Sequence, residues 1–479
     1  MKLPQVIVQS DFSAGVIDDK SVADSLLPRN AVRKSINFMF DRPRGSAAQR
    51  LGTTLLGSAA VSGSAILGIH NLRQAVGSNS QLIAASAGTL YYLSGGTTWT
   101  SSSTGLDPSA KVRFITYLDI AVALNGIDGA RAWSGSGSWS TTGTALDVGN
   151  WPVTRYAALL AGRVFAAGNT SLPSRLYASS IVSASAVSWT SGNKTVDVFP
   201  NDGSGSITSI IGNGRLILVF KDRSLCRYDD ASLQRVCFIG TPSHESVFND
   251  DKGITYFFGQ GANSVGFYAT TGGYPEKISR PIQKWVEAIS ASNYSSVAGF
   301  TDGRKCYWSV GDITIGDRTY QNVWLVYVIG DQSWEIRSYA NRYNVFSLYI
   351  NSGGNMTTVG GDSVGNVQTI DLGNTDNGTP ISYEGEFAPQ FFGTKGQTKV
   401  IGDIVAIAPV FNGVGVFISI DDGDFIQMGS MDKKVRRFSG KRNMRGHKFT
   451  PKISGVNSGE PVLFEGFEYP DVNNEGYTI

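Results

Sequence analysis

Between residues 80 and 371 one small pattern recurs: two short apolar strands flank a turn rich in Gly, Asn or Asp. The strand pairs are QLIAASAGTLYYL (81–93), IAVALNGIDGARAW (120–133), RVFAAGNTSLPSRLYA (163–178), RLILVFKDRSLCRY (215–228), ITYFFGQGANSVGFYA (254–269), RKCYWSV with NVWLVYVIGDQSWEI (304–336), and MTTVGGDSVGNVQTID (356–371). One unit consumes about 40–50 residues, the spacing of a radial or stacked β-repeat. A lone unit cannot bury both its apolar faces, so several must pack in a ring or a row. The repeat therefore predicts an all-β chain built on a β-propeller of six or seven blades. Turn pairs fall where hairpins need them, at Asn125-Gly126, Asp128-Gly129, Asn213-Gly214 and Asp302-Gly303.

The flanks read differently. Residues 1–60, broken by Pro28 and Pro43, predict an N-terminal arm packed across the outside of the ring. The blades are expected over 61–375, with 371–380 as a polar linker. Residues 376–479 contain longer strands with cleaner alternation, including VIGDIVAIAPVF and VGVFISIDDGDF, and predict a C-terminal antiparallel β-sandwich. Helical runs are nearly absent; the best candidates are 27–38 and 281–291. The 57 Gly and 11% aromatic residues suit turns and strands.

Charge and cysteine usage bound the function classes. The formal net charge is +2, so bulk charge does not demand nucleic acid or a membrane. Cys226, Cys237 and Cys306 lack paired spacing and fit free thiols made in a reducing cytoplasm. No apolar run approaches the ~18 residues of a membrane span, and MKLPQVIVQSDFSAG has no signal-peptide core.

Catalytic motifs are missing from the sequence. It has no phosphate loop, no HExxH and no nucleophile elbow. His70, His244 and His447 lie far apart and lack acidic or Cys neighbours at metal-ligand spacing. No catalytic residue, metal or cofactor is expected. Ser419-Ile420-Asp421-Asp422-Gly423-Asp424 resembles the Asp-box turn of sialidases and other propellers. It reads as a satisfied β-turn, with weak Ca²⁺ binding as the alternative. Asp128, Asp202, Asp229, Asp230, Asp250, Asp251 and Asp302 sit in turns, where Asp accepts backbone hydrogen bonds; a spatially assembled carboxylate pair of a glycosidase is the competing reading. Tyr91, Tyr92, Trp99, Trp133, Trp139 and Trp189 fit blade cores better than a sugar-binding surface.

The densest charge lies in KKVRRFSGKRNMRGHK. Lys433, Lys434, Arg436, Arg437, Lys441, Arg442, Arg445 and Lys448 have no acid among them. This stretch is read as a basic hairpin with three possible roles: contact with an acidic partner, contact with DNA, or a solvated strand face. A second strip in the arm contains Arg42, Arg44 and Arg50, preceded by Arg29, Arg33 and Lys34. It is expected to anchor the arm to a neighbour.

An ordered set of motifs resembles the tail nozzle or hub proteins of short-tailed bacteriophages, including packaged-DNA stabilisation proteins. DFSAGV…LLPRNAVRKSINFMFDRPRGSAAQRLGT is similar to their opening, through Leu27-Pro28, Asn37, Asp41, Arg50 and Gly52. SITSIIGNGRLILVFKDRSLCRY (206–228), SRPIQKWVEAI (279–289), NVWLVYVIGDQSWEIRSY (322–339) and GGDSVGNVQTID (360–371) follow in family order. The resemblance implies a structural protein of the virion tail, made in the host cytoplasm, without catalysis. It implies a homo-oligomeric ring, usually six subunits, below the portal-adaptor ring. Such a ring extends the channel for packaged double-stranded DNA, without sequence recognition, and docks tail fibres or spikes. A virion-associated carbohydrate-binding or glycan-cleaving propeller is the alternative.

Overall fold

A computed structural model describes all residues except 1–5, 20–22, 24–25, 42, 76–79, 263, 352, 394–396, 441–443, 471 and 478–479. Among the described residues, seven antiparallel sheets stand around one axis. Blades 1 to 6 span 66–103, 113–133, 156–197, 207–237, 248–277 and 298–338. Blade 7 takes three strands from 343–370 and its outer strand from Thr53–Leu55, which pairs antiparallel with Val367–Ile370. The innermost strand of blade 7, Tyr343–Ile350, lies against that of blade 1, Ile66–Arg73, and closes the ring. The fold is a seven-bladed β-propeller. Each repeat read from the sequence contains the central hairpin of one blade.

Strand alternation explains why blades stack. Along the second strand of blade 1, Leu82 and Ala84 pack toward blade 7, where Val345 and Val359 wait. Ile83 and Ala85 point the other way, toward Ala121, Ala123 and Trp133 of blade 2. A strand buried on both faces must be apolar at nearly every position, and QLIAAS meets that need. Leu146 and Val122 join Val164 and Ala166 between blades 2 and 3, and Phe165 and Val219 join blades 3 and 4. Trp133, Trp139 and Trp189 are buried in these interfaces, and Trp99 and Tyr92 pack at their edges. Those aromatics are blade cores.

The flanking segments interleave. Of the arm, β1 (Ile7–Gln9) pairs with Gly466–Tyr469. The next strand, β2 (Gly15–Val16), joins Ser333–Ser338, the outer strand of blade 6, in parallel. Ala31–Ile36 forms β3, which pairs with β2 and with Thr379–Phe387 of the C-terminal part. A hairpin of β4 (Phe38–Asp41) and β5 (Arg44–Gln49) takes Leu463–Phe464 as a third strand. Thr53–Leu55 of blade 7 is β6. The arm thus covers outer blade edges, as expected, and also supplies strands to the C-terminal sheets. The helical expectation for 27–38 is corrected: Val32 and Ile36 face the core, and pairing on both edges makes this a strand. The second candidate contains a short helix, Gln283–Glu287. Within the expected linker, Thr375–Asp376 pairs with β6 and with Thr379–Phe387.

The C-terminal sheets form a sandwich with a shared core. Ile404, Ala406, Phe438 and Phe467 come from one sheet. Val416, Ile418 and Ile453 come from the other. This core runs on through Phe12, Val32 and Phe38 to Trp285, Trp308 and Trp334 of the propeller side.

Candidate functional site

Among the described residues the basic stretch forms no hairpin of its own, which corrects the sequence reading. Val435–Ser439 pairs with Asp403–Ile407 at one edge of a four-stranded sheet. Arg445–Gly446 pairs instead with Gln397–Ile401 in a separate sheet. Lys433, Lys434 and Arg445 are exposed. Arg436 pairs with Asp432 at 2.9 Å and lies 5.1 Å over the Phe438 ring. Arg437 pairs with Asp403. Lys448 is buried and holds Asp422 at 2.6 Å. Lys441 and Arg442 lie outside the described residues. Asp403 and Asp422, distant in sequence, and Asp432, just before the stretch, thus answer three of its cations. An edge strand carrying two Arg also resists pairing with stray chains.

Arg50 is a correction. The sequence suggests a partner contact, yet Arg50 is 1% exposed. Its guanidinium grips Asp376 through two bonds of 2.8 and 2.7 Å, donates to the carbonyl of Ser338, and lies 3.9 Å over Tyr339. Such a bidentate pair fixes direction as well as distance. Arg44 remains on the surface beside Asp331 at 3.1 Å, and Arg42 lies outside the described residues. Lys34 pairs with Glu384 and Glu386, and Arg33 with Asp422. Arg33, Lys34 and Arg50 thus anchor the arm within the chain.

Asn37 completes the Arg50 site. It adopts φ 64°, a left-handed conformation that Asn tolerates better than most residues. Its Oδ1 accepts from Arg50 Nε and from the Ser338 amide, both at 2.8 Å, and its Nδ2 donates to Ser382 at 2.7 Å. One side chain therefore ties the arm, blade 6 and the C-terminal part together. Beside it, Lys305 joins Asp41 and the fully buried Glu335, and Arg337 joins Glu335 and Asp371. At Gly52 a Cβ would sit 1.9 Å from the Thr375 carbonyl, so no other residue fits there without movement. Sequence reasoning missed Glu335, Arg337, Asp371 and Asp376, because their pairing is visible only in space.

The other candidates resolve simply. Asp421 accepts the amides of His447 and Lys448, and Ser419 donates to Gly423, so the Asp-box-like stretch is a satisfied turn. Asp128, Asp229, Asp250 and Asp302 likewise accept backbone amides. His70 bonds Thr116, and burial pushes it down to about 4. His244 bonds Ser209, and His447 lies beside Asp421. No group of three metal-ligating side chains occurs among the described residues. The three Cys are buried free thiols, and no described helix is long and apolar enough to cross a membrane.

No family model matches this chain, and no curated protein matches it. Solved structures show a loose likeness. The extracellular domain of the hybrid two component system BT4673 from B. thetaiotaomicron is 13% identical, with TM-score 0.42, covering 83% of this chain and 48% of that one. This chain thus spans about half the length of that domain. Virginiamycin B lyase from Staphylococcus aureus is 9% identical, with TM-score 0.44, covering 67% and 99%. The gluconolactonase XC5397 from Xanthomonas campestris is 10% identical, with TM-score 0.34, covering 71% and 97%. Enzymes thus occur among the similar structures. At these scores they carry no argument about activity, and the fold stands on its own sheet topology.

Proposed function

We propose that this chain is a structural protein of a bacteriophage tail, a nozzle or hub subunit that assembles into a ring and is not an enzyme. One observation carries the reading. The residues behind the family resemblance in the arm are the ones that bind the molecule together: Asn37 and Arg50 bond each other, Asp41 holds Lys305, and Gly52 admits the chain beside Thr375. A motif set with a shared mechanical task is more than a coincidence of common residues. A rigid propeller with covered edges suits a part that guides DNA under pressure. Closed rings use heterologous contacts, and the edge strand with Arg437, preceded by the exposed Lys433 and Lys434, supports that role. The ring would extend the DNA channel below a portal-adaptor ring and dock fibres or spikes. Negative-stain imaging of the purified chain and of virions that carry it tests the proposal. Rings, or antibody label on the tail axis, are the expected result. A monomer that turns over host polysaccharide would replace it with the glycan-cleaving reading.

A further inference from the structure

Each blade begins with its innermost strand, so the residues leading into those strands gather at one mouth of the central channel. Lys111 and Arg113 lead into blade 2, Arg155 into blade 3, Glu245 into blade 5 and Arg342 into blade 7. Four cations and one carboxylate meet there. Glu245 forms an ion pair with Arg113 at 2.8 Å and accepts Lys111 Nζ at 3.3 Å. Arg113 also lies 4.9 Å over the Tyr156 ring, which packs on His244 at 4.7 Å. Arg342 donates to Asn293 and Ser296, and its Nε is buried with no acceptor. Arg155 lines the same cavity as Tyr156. Neither Arg155 nor Arg342 has a carboxylate at ion-pair distance among the described residues; Asp312 attracts Arg342 from farther away.

The surroundings keep this charge positive. Burial opposes ionisation of Glu245, yet Arg113 and Lys111 hold its carboxyl well below the usual range. Burial, followed by Arg113, pushes His244 down to about 3, so it adds no charge near neutrality. Lys111 is lowered by burial and by repulsion from Arg113 and Arg342. A cavity of about 380 Å³ opens beside Arg113, Arg155, His244 and Glu245, with the side chains of Thr170 and Ser206 on its wall. Arg155 is half-buried at this cavity without a counterion among the described residues, which is costly, and an oxyanion that can accept its N–H groups is what it matches.

We propose that this mouth of the channel binds a small oxyanion, a carboxylate or a phosphate, on Arg155 and Arg113. Isothermal titration of the full chain at low salt with inorganic phosphate, and separately with acetate, tests it. Saturable binding is expected, weakening as salt rises. Arg155→Gln is expected to weaken it roughly 10–100-fold, the effect of losing a charge-assisted bond. Arg342→Gln should weaken it less, and Arg436→Ser, far off in the C-terminal sandwich, should change nothing. A response to phosphate alone, or to acetate alone, assigns the headgroup. No saturation with either probe up to roughly 10 mM, or unchanged binding in both Arg155→Gln and Arg342→Gln, overturns the proposal.

Discussion

Two sides of the ring are held by different means. Blades 1 to 4 each come from one contiguous stretch and meet through separate seams of small, branched and aromatic residues with, among the described residues, no buried ion pair in the seam clusters themselves. Blades 6 and 7 are held by chain segments from both flanks. There Arg50 reaches Asp376, 326 positions away, and buried charges add to an aromatic seam of Phe300, Tyr307, Trp324 and Tyr343. The contrast shows where a propeller needs help. Neighbouring blades find each other cheaply because the chain delivers them in order. The closing blade must wait for a strand from far upstream, and long loops raise the entropy of that step. Directional, bidentate contacts then select one closure among several apolar alternatives.

If that contrast is right, the largest loss comes from the closure. Arg50→Ala leaves Asp376 buried and uncompensated, and breaking such a pair costs about 3–5 kcal/mol. Urea unfolding should show this fall, and hydrogen exchange should rise in β6 and blade 7 before blades 2 and 3. Uniform exchange across all blades would erase the distinction.

Acid should act on the same side. Burial alone would raise Glu384, but Arg318, Lys34 and Lys452 outweigh it and hold the carboxyl at about 2, against an ordinary 4.5. A depressed carboxylate contributes stability that is full above the unfolded value and is lost as pH falls through the folded one. The difference corresponds to about 3 kcal/mol, expected to disappear between pH 5 and 2. Glu384→Gln should be less stable at pH 7 and flatter over that window. An unchanged pH profile would show that Glu384 is not the group responsible.

The apolar side should respond mildly. Ile83→Val removes one methyl from the seam between blades 1 and 2, where Ile83 is fully buried. Such changes cost about 0.5–1.5 kcal/mol. Exchange should rise in blades 1 and 2 and leave β6 and blade 7 protected. A fall as large as that of Arg50→Ala would mean that both sides share one cooperative unit.

The sequence made the two sides unequally legible. Central hairpins stood out because Leu82–Ala85 and Ile217–Phe220 are buried on both faces and therefore apolar in runs. Innermost strands did not, since Arg113–Tyr117 is half-buried along its whole length and reads as a mixed segment. In the arm, Arg33 and Lys34 between Val32 and Ile36 interrupted the strand signal. A bulge between Val32 and Lys34 accounts for the broken alternation. The partners of Arg50 and Arg437 were hidden for a simpler reason. Charges pair across folded distance, so a local count of acids near 433–448 overstated how bare those cations are.

The smallest expected effect on stability belongs to the basic edge strand, and it is the one that bears on assembly. Lys433 and Lys434 are exposed, while Arg436 and Arg437 are held by Asp432 and Asp403 at half-exposed positions. Surface pairs of this kind contribute about 0–1 kcal/mol each. Replacing all four residues with Ser should leave urea unfolding of the monomer nearly unchanged. If the ring reading holds, the same variant should assemble poorly in sedimentation or negative stain. Wild-type assembly should itself weaken with salt, because exposed charges are screened within about 10 Å at 0.1 M. Normal rings that leak DNA from filled heads would move these cations from the subunit interface to the DNA channel. Normal rings that retain DNA would leave them the bland role their geometry already explains, guarding a sheet edge against unwanted strands.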